Sequence, residues 1–270
     1  IGLQGIRLIN PTIGETIVVI GLGLIGLLSA EMLIANGCKV IGYDLDDNKV
    51  AIAEEKGVIA FNPLKGNDPV KTVLNNTNNI GSDAVLITAS AKNNDIISQA
   101  AQMSRKRGRI TLVGVIGLDI SRAEFYEKEL SFQVSCSYGP GRYDDDYEMK
   151  GIDYPLPFVR WTEKRNFETV LQLISSGKLK VKNLISEVVL LKDFNEIYGE
   201  IGASKSIASL IRYNKKSKVE NTIIVNKKKF NPSKGVIGII GAGNFTKMTL
   251  LPALKNIDAQ IKHIVSSGGI

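Results

Sequence analysis

The fold of this chain is decided by the stretch Ile20-Gly21-Leu22-Gly23-Leu24-Ile25-Gly26, which closes the apolar run that begins at Thr16. In a Gly-x-Gly-x-x-Gly turn the first glycine permits a tight turn, the second lets a pyrophosphate approach the backbone, and the third lets the helix pack on the strand. We predict a helix over Leu24–Asn36 that Gly37 ends. The stretch therefore predicts a dinucleotide-binding βαβ unit, and a tight turn with nothing bound is the alternative.

An acidic residue closes the second predicted strand. Asp44 follows the apolar run Val40–Tyr43 and lies roughly 20 positions beyond Gly21, where a carboxylate can accept both hydroxyls of an adenosine ribose. A 2′-phosphate about 4 Å from that carboxylate would meet a repulsion of several kcal/mol, so NAD is favoured over NADP. Lys49 is the nearby cation, and it either pairs with the ribose hydroxyls or lies on the surface of the next helix.

Strands and helices alternate after this first unit. The alternation predicts an α/β fold with a doubly wound parallel sheet of the Rossmann type, because right-handed crossovers place helices on both faces. The predicted strands are Val58–Phe61, Ala84–Thr88 and Ile110–Val113, and the predicted helices lie near Asp68–Leu74 and Asp95–Met103.

Two loops leave the fourth and fifth strands of this prediction. We expect Thr88, Ala89 and Ser90 in one loop and Val113, Gly114 and Val115 in the other to line the cofactor path, since ligands bind at the carboxyl ends of parallel strands. Simple strand-end turns are the alternative for each residue.

The rest of the first domain, residues 1–213, continues the pattern. A sixth strand is predicted at Leu130–Ser135, and a later helix over Thr162–Ser175 is ended by Gly177. The strand Val188–Leu191, the helix Asp193–Ile201 and the strand Ile207–Tyr213 are expected to complete the layer.

Residues 214–235 form a basic linker, in which Thr222–Val225 is a candidate short strand. The chain has a formal net charge of +7, and lysines are concentrated in this stretch. The stretch lacks the interleaved aromatic residues on which single-stranded nucleic acid stacks, so we predict a solvated connector and no nucleic-acid partner.

A second unit begins after the linker, over residues 236–270. Val236–Ile240 leads into Gly241-Ala242-Gly243-Asn244-Phe245-Thr246, then a helix through Asn256 and the strand Gln260–Val265. Gly241, Gly243, Asn244 and Phe245 are therefore candidates for a second nucleotide site. Thr246 replaces the third glycine, which leaves a purely structural turn as the alternative.

The composition excludes several classes of protein. The longest uncharged apolar stretch, Ile17–Ala30, is shorter than the ~18 residues that a membrane span needs, so we expect no membrane partner and a cytoplasmic location. The two cysteines, Cys38 and Cys136, are predicted to be small buried apolar residues. The single histidine, His263, has no sequence-near Cys, His or Glu in metal-ligand spacing, so we predict a strand histidine without a catalytic role and no metal ligands.

Residues 1–213 resemble the nucleotide-binding half of the medium-chain dehydrogenases, the zinc-type alcohol, sorbitol and threonine dehydrogenases. The matching features are the glycine turn, Asp44 with Lys49, and Leu112-Val113-Gly114-Val115. Residues 236–270 are similar to the start of the glucose-fructose oxidoreductase and inositol dehydrogenase family, through Ile239–Phe245 and Leu250–Leu254. This order of halves is similar to two-domain bacterial oxidoreductases, which are often associated with surface-glycan metabolism.

The resemblance implies hydride transfer between NAD and a secondary alcohol or sugar hydroxyl. It also implies that catalytic groups lie outside this chain, because zinc ligands come from an amino-terminal domain and a Glu-Lys-Pro segment would follow Ile270. We therefore expect a piece of a longer protein, with zinc only through that amino-terminal domain. None of the eight tyrosines has a lysine four positions later, which excludes the short-chain dehydrogenases. The alternative function is a dinucleotide-binding or sensing module without turnover.

The most distinctive match to the two-domain group is the loop from Ser137 to Asp144 and its continuation to Glu163. Arg142 and Arg160 can bind carboxylate or phosphate, and Tyr138, Tyr143 and Trp161 can stack on a sugar. A substrate or docking loop is one interpretation, and a structured loop whose aromatics pack on the helix is the other. In the resembled dehydrogenases the edge strand, here 130–135, pairs with a second subunit, which implies a homodimer.

Overall fold

The computed structural model describes residues 1–92, 94–198, 206–213, 230–231, 235–257 and 259–267. The chain divides into two compact units, residues 1–214 and residues 215–270. The candidate strand Thr222–Val225 and the lysines of the linker lie outside the described residues.

The elements are numbered in chain order. The helices are α1 (Gly2–Ile9), α2 (Leu24–Ala35), α3 (Asp47–Glu55), α4 (Pro69–Asn76), α5 (Asp95–Met103), α6 (Arg122–Lys128), α7 (Asp145–Glu148), α8 (Glu163–Ser175), α9 (Asn195–Tyr198) and α10 (Leu251–Leu254). The strands are β1 (Thr16–Ile20), β2 (Lys39–Tyr43), β3 (Ile59–Phe61), β4 (Ser82–Ile87), β5 (Ser104–Leu112), β6 (Ser131–Val134), β7 (Ile185–Leu190), β8 (Ala208–Arg212), β9 (Val236–Ile240) and β10 (Gln260–Val265).

The first unit contains a six-stranded sheet in the order β3-β2-β1-β4-β5-β6, and all five pairings are parallel. This order is that of the Rossmann fold, with the reversal of strand order between β1 and β4. The predicted doubly wound α/β fold is confirmed. The reversal opens a crevice at the carboxyl ends of β1 and β4, where the glycine turn begins.

The alternation of side chains along β1 explains why its sequence is apolar throughout. Ile17 and Val19 belong to one buried cluster, with α1 and α2, while Val18 and Ile20 belong to a second cluster, with α4 and α5. Successive strand residues point to opposite faces, so a sheet covered on both sides needs a continuous apolar run.

Helices α1 and α6 were not predicted from the sequence. Helix α1 packs on α2 and the sheet through Leu3, Ile6 and Ile9, although two glycines within it lower its helix propensity. Tertiary burial therefore overrides local propensity here. Cys136 is exposed, against the prediction that both cysteines are buried, because it follows the edge strand β6; Cys38 is buried as predicted.

The sequence led us to expect that the last strands of the first unit complete the layer. The structure does not confirm this expectation. β7 and β8 pair with each other in a separate two-stranded parallel sheet. The segment between α8 and β7 buries Leu179 and Leu184 in the cluster that contains α2, so the chain turns onto the helical layer before β7 begins. The predicted helix Asp193–Ile201 starts as α9, and its residues from 199 onward lie outside the described part.

The second unit, in its described ranges 230–231, 235–257 and 259–267, has the predicted strand-turn-helix-strand order. β9 and β10 pair in parallel, and a π-helical turn, Thr246–Leu250, leads into α10. Ile239 is buried, whereas Ile240 is 89% exposed.

Candidate functional site

The three glycines of the first turn differ in their steric surroundings. Gly21 has φ +90°, and a β-carbon on it would lie 2.8 Å from the backbone of Ala89. A β-carbon on Gly26 would lie 1.9 Å from the carbonyl oxygen of Gly21, so the helix can approach the turn only without one. At Gly23 a β-carbon would meet nothing within 4 Å. The first and third glycines are thus required by the protein itself, while the space at the second is open to a ligand.

The carboxylate of Asp44 is tied to this turn. Its two oxygens accept hydrogen bonds from the backbone N–H groups of Leu22, at 2.7 Å, and Asp46, at 3.0 Å. The Nζ of Lys49 lies 3.8 Å from the same side chain, which is 14% exposed. Each carboxylate oxygen has a second lone pair, so the group can still accept hydroxyl donors such as those of a ribose.

Thr88 links the end of β4 to the glycine turn. Its hydroxyl is 2.6 Å from the carbonyl oxygen of Gly21 and 3.0 Å from that of Ile20, and it can donate to either. The backbone N–H groups of Thr88 and Ala89 both donate to Ile20, at 2.9 Å. The turn is therefore held in place by the neighbouring strand.

The loop after β5 runs beside the loop after β4. The N–H of Val115 donates to the carbonyl of Ala89 at 3.2 Å, and the N–H of Ala91 donates to that of Val115 at 2.9 Å. A β-carbon on Gly114 would lie 2.0 Å from the carbonyl oxygen of Ala89. The side chain of Val113 packs toward Gly5 of α1, whereas Val115 is 73% exposed.

A cavity of about 720 Å³ opens at this edge of the sheet, and we call it the glycine-turn cavity. Its size is within the range of about 300–1,000 Å³ for small-molecule sites. Seven of the predicted site residues line it: Gly21, Gly23, Asp44, Lys49, Thr88, Ala89 and Ser90. Lys49 therefore lines the same cavity as Asp44.

Sequence reasoning missed part of the lining. Tyr43, Leu45, Pro63, Pro69, Ile96 and Gln99 also line the cavity. The hydroxyl of Tyr43 donates to the Oε1 of Gln99 at 3.0 Å, and burial raises the pKa of this phenol above its ordinary value. Pro63 and Pro69 both come after β3 in the chain. Their position beyond the carboxyl end of a predicted strand was the signal from which the sequence could have predicted them as lining residues.

The remaining predicted cofactor residues lie beside the cavity lining. Leu24 and Ile25 stand in the first turn of α2, where Leu24 is 38% exposed and Ile25 faces Gly2 of α1. Gly26 lies against the turn, and the loop Val113–Val115 runs along the loop after β4.

The second glycine turn has a different internal bond. Gly241 has φ +93°, and a β-carbon on Gly243 would meet nothing within 4 Å. The hydroxyl of Thr246 donates to the carbonyl of Gly241 at 2.7 Å, and Thr246 is buried. Asn244 and Phe245 are exposed. The threonine thus occupies the position of the third glycine and satisfies the carbonyl of the first.

The distinctive loop after β6 is held by its own side chains. Tyr138 packs edge to face on Phe167 of α8 with ring centroids 5.5 Å apart. The Nη1 of Arg142 donates to Glu148 at 2.5 Å, and this bond raises the pKa of the guanidinium. Arg160 lies over the ring of Trp161, at 4.0 Å.

An acidic residue of this loop begins α7. Asp144 accepts from the hydroxyl of Tyr154 and from the N–H groups of Asp146 and Tyr147, and these bonds lower its pKa. The loop is thus internally bonded, and none of Tyr138, Arg142, Arg160 and Trp161 is among the described residues that line the glycine-turn cavity.

Two absences hold for the part of the chain that the structure describes. Within it, His, Cys, Asp and Glu side chains form no group of three or more that could hold a metal ion. Within it, too, every helix is too short or too polar to cross a bilayer.

Known proteins resemble the first unit. Residues 25–149 match the zinc-binding dehydrogenase family model. The chain is 28% identical over 204 residues to D-guloside 3-dehydrogenase of Escherichia coli (strain K12), covering 73% of this chain and 53% of that protein. It is 26% identical over 209 residues to alcohol dehydrogenase 1 of Cenchrus americanus, covering 77% of this chain and 50% of that one. The chain thus spans about half the length of these curated relatives.

Solved structures have the same fold. 2R,3R-butanediol dehydrogenase from Bacillus subtilis superposes with a TM-score of 0.63 at 24% identity, covering 79% of this chain and 55% of that one. Alcohol dehydrogenase from Thermus sp. ATN1 gives 0.64 at 22% identity, with the same coverage. A Sinorhizobium meliloti 1021 structure bound to NADP gives 0.61 at 21% identity, covering 78% of this chain and 56% of that one. The first unit therefore shares its fold with these solved structures.

Proposed function

We propose that the first unit binds NAD as the coenzyme domain of a dehydrogenase that acts on a secondary alcohol or sugar hydroxyl. The observation that carries the proposal is the open face of Gly23 beside the Asp44 carboxylate, within one cavity of about 720 Å³. A pyrophosphate at Gly23 would face the N-terminus of α2, where the helix dipole favours negative charge. The alcohol and sugar dehydrogenases among the relatives support the reaction class.

The residues of this chain would hold and orient the coenzyme. Asp44 would accept the ribose hydroxyls, Lys49 would lie at the cavity mouth, and the loop Val113–Val115 would border the nicotinamide end. NAD supplies hydride chemistry when it is bound. The catalytic groups, and zinc if the whole protein uses it, would come from an amino-terminal domain outside this chain.

The preference for NAD over NADP rests on charge. The Asp44 carboxylate faces the cavity and Lys49 is its cation partner at 3.8 Å, while Asp46 adds a second carboxylate 4.0 Å from the same Nζ. A 2′-phosphate placed there would bring up to two negative charges within a few ångströms of both acids.

Calorimetric titration of NAD and NADP into the chain and its Asp44→Asn variant tests the proposal. We expect tighter binding of NAD than of NADP, a loss of about tenfold in NAD affinity in the variant, and a narrower gap between the two coenzymes. Asp119→Asn is the matched control, because Asp119 is an exposed carboxylate outside the cavity lining. Equal affinities in the protein and in Asp44→Asn would reject the role of Asp44.

We further propose that residues 236–270 begin a second nucleotide-binding domain of the glucose-fructose oxidoreductase and inositol dehydrogenase type. The positive φ of Gly241 and the open space at Gly243 support it. Its place after a medium-chain dehydrogenase unit favours a role in surface-glycan metabolism, and the D-guloside relative is compatible with a sugar substrate. A binding stoichiometry above one that falls to one in Gly243→Asp would support the second site, whereas an unchanged stoichiometry in that variant would contradict it.

A homodimer through β6 is the third part of the proposal. β6 ends the six-stranded sheet, and Val134 on it is 53% exposed. An edge strand presents unpaired backbone groups to a partner strand. Sedimentation should give a dimer that Val134→Lys converts to a monomer, with Val115→Lys as an exposed control outside β6; a monomeric parent chain would contradict the proposal.

A further inference from the structure

A second pocket lies on the opposite edge of the first unit from the glycine-turn cavity. It has a volume of about 360 Å³ and is bordered by α1, the end of α2, and α8, so we call it the α1–α8 pocket. Asn10, Pro11 and Asn36 line it, and these residues precede the amino ends of β1 and β2. The five residues of β1 separate the two cavities by roughly 15 Å. The α1–α8 pocket is therefore distinct from the coenzyme site.

The lining of this pocket combines apolar walls with polar residues and two cations. Leu3, Ile6 and Met32 form apolar walls, while Arg7, Lys178 and Trp161 supply charge and an aromatic ring. The central carbon of the Arg7 guanidinium lies 3.1 Å from the Trp161 ring centroid, and that of Arg160 lies 4.0 Å from it. Two guanidinium groups thus share one indole ring.

The structure holds Arg7 in a fixed orientation. Its Nε donates to the Oδ1 of Asn166 at 2.9 Å, and its Nη2 lies 3.5 Å from the hydroxyl of Thr169. Asn166 is itself fixed, since its amide donates to the backbone carbonyl of Tyr138 at 2.8 Å. Both partners of Arg7 are neutral, so they orient the guanidinium without balancing its charge.

The positive charge at this pocket lacks a carboxylate. Among the described residues, no ion pair includes Arg7, Arg160 or Lys178. Burial, together with the charge of Arg160, lowers the pKa of Arg7 to about 10. An anion bound beside Arg7 would relieve this electrostatic penalty, because a desolvated cation gains most from a charge-assisted hydrogen bond.

We propose that the α1–α8 pocket binds a small amphipathic carboxylate, whose charged end meets Arg7 and Lys178 and whose apolar body lies on Leu3, Ile6 and Met32. The remaining guanidinium donors of Arg7 and the ammonium of Lys178 match the two oxygens of a carboxylate. The apolar walls exclude water from a short hydrocarbon chain.

The only tryptophan of the sequence is Trp161, so its fluorescence reports directly on this pocket. Titration of the full chain with hexanoate at constant ionic strength should give a saturable change in emission. Acetate should bind about tenfold more weakly, because it lacks the apolar body. Hexan-1-ol, which lacks the charge, should give no saturable change.

Variants assign the charge to the pocket. Arg7→Gln removes the half-buried cation, and Lys178→Gln removes the exposed one without changing a residue of α1. We expect a loss of hexanoate affinity of about tenfold in the first and about fivefold in the second. Lys180→Gln is the matched control, since Lys180 is an exposed lysine two positions away and outside the lining. Asp44→Asn should also leave hexanoate binding unchanged, which separates this proposal from the coenzyme site.

The proposal would be overturned by a flat titration with hexanoate, by equal responses to hexanoate and hexan-1-ol, or by an unchanged hexanoate affinity in Lys178→Gln. Binding of inorganic phosphate as tightly as hexanoate would also overturn it, because the apolar walls would then contribute nothing.

Discussion

The two glycine turns of this chain lie in the same strand-turn-helix-strand order and share the first two glycines of the motif. They differ at the sixth position of the motif. In the first turn Gly26 lies so close to Gly21 that a β-carbon would be 1.9 Å from its carbonyl oxygen. In the second turn Thr246 stands at this position, and its hydroxyl donates to the carbonyl of Gly241 at 2.7 Å. A side chain is thus excluded from one turn and bonded into the other.

The difference shows how each turn satisfies the carbonyl of its first glycine. In the first turn the donor comes from Thr88 at the end of a neighbouring strand, at 2.6 Å. In the second turn the donor comes from the turn itself, and the following residues, Thr246–Leu250, form a π-helical turn. The third glycine is therefore required where a helix packs closely on the turn, and a hydroxyl replaces it where the helix begins with a wider winding.

The largest effect is expected from the anchor of α2, the helix that follows the first turn. Glu31 of α2 pairs with Lys56 at 2.5 Å, their side chains are 10% and 5% exposed, and Glu31 also accepts from the N–H of Lys180 at 2.8 Å. Glu31→Gln should lower the free energy of unfolding by about 3–5 kcal/mol, because it leaves Lys56 buried without a counter-charge.

Urea unfolding followed by circular dichroism measures this change. The double variant Glu31→Gln with Lys56→Met should recover much of the loss, since no unpaired charge then remains. A Glu31→Gln protein as stable as the parent would show that the stability of the fold does not depend on this ion pair.

The next largest effect is expected from a substitution at Gly26, the sixth residue of the first turn. Gly26→Ala should lower the free energy of unfolding by about 2–3 kcal/mol and weaken NAD binding, since the new methyl group forces α2 away from the turn. Gly23→Ala is the control, because its β-carbon meets open space: stability should fall by less than about 1 kcal/mol while NAD affinity falls. Equal stability losses in the two variants would contradict the steric assignment.

A smaller effect is expected from Thr88, whose hydroxyl donates to the first turn from the end of the neighbouring strand. Thr88→Val keeps the shape of the side chain but removes the hydroxyl that contacts Gly21 and Ile20. We expect a loss of about 1–2 kcal/mol in unfolding free energy by urea titration. Thr88→Ser, which keeps the hydroxyl, should lose less than Thr88→Val, and the reverse order would assign the effect to the methyl group.

The smallest effect is expected from Thr246, whose hydroxyl is the donor within the second turn. Thr246→Val should destabilise only the local structure, by about 1 kcal/mol, and hydrogen exchange at the amides of β9 should accelerate about fivefold. The amides of β1 in the first unit serve as the internal control. Unchanged exchange in β9 would mean that the hydroxyl of Thr246 does not stabilise the turn.

Much of the fold followed from local pattern. The strand Thr16–Ile20 and the helix Asp95–Met103 have the predicted limits, because apolar runs and helical spacing act over a few residues. The parallel order of the sheet also followed, since crossover handedness restricts the topology. The exposure of Cys136 did not follow, because it depends on β6 being the last strand of the sheet.

The candidate site divides in the same way. The glycines and Asp44 were predictable because backbone conformation and strand order bring them to one edge. Gln99 was not, since it reaches the glycine-turn cavity from helix α5, whose sequence carries no ligand signal. The contact of Arg7 with Asn166, 159 positions apart, also exists only through packing.

By itself, then, the sequence determined the alternation of strands and helices, the glycine turn and the acid beside it. Tertiary structure alone decided that β7 and β8 leave the main sheet and that Arg7 meets Trp161. The physical reason is range: dihedral preference and side-chain periodicity act between near neighbours, whereas burial and charge pairing depend on which distant surfaces the folded chain brings together.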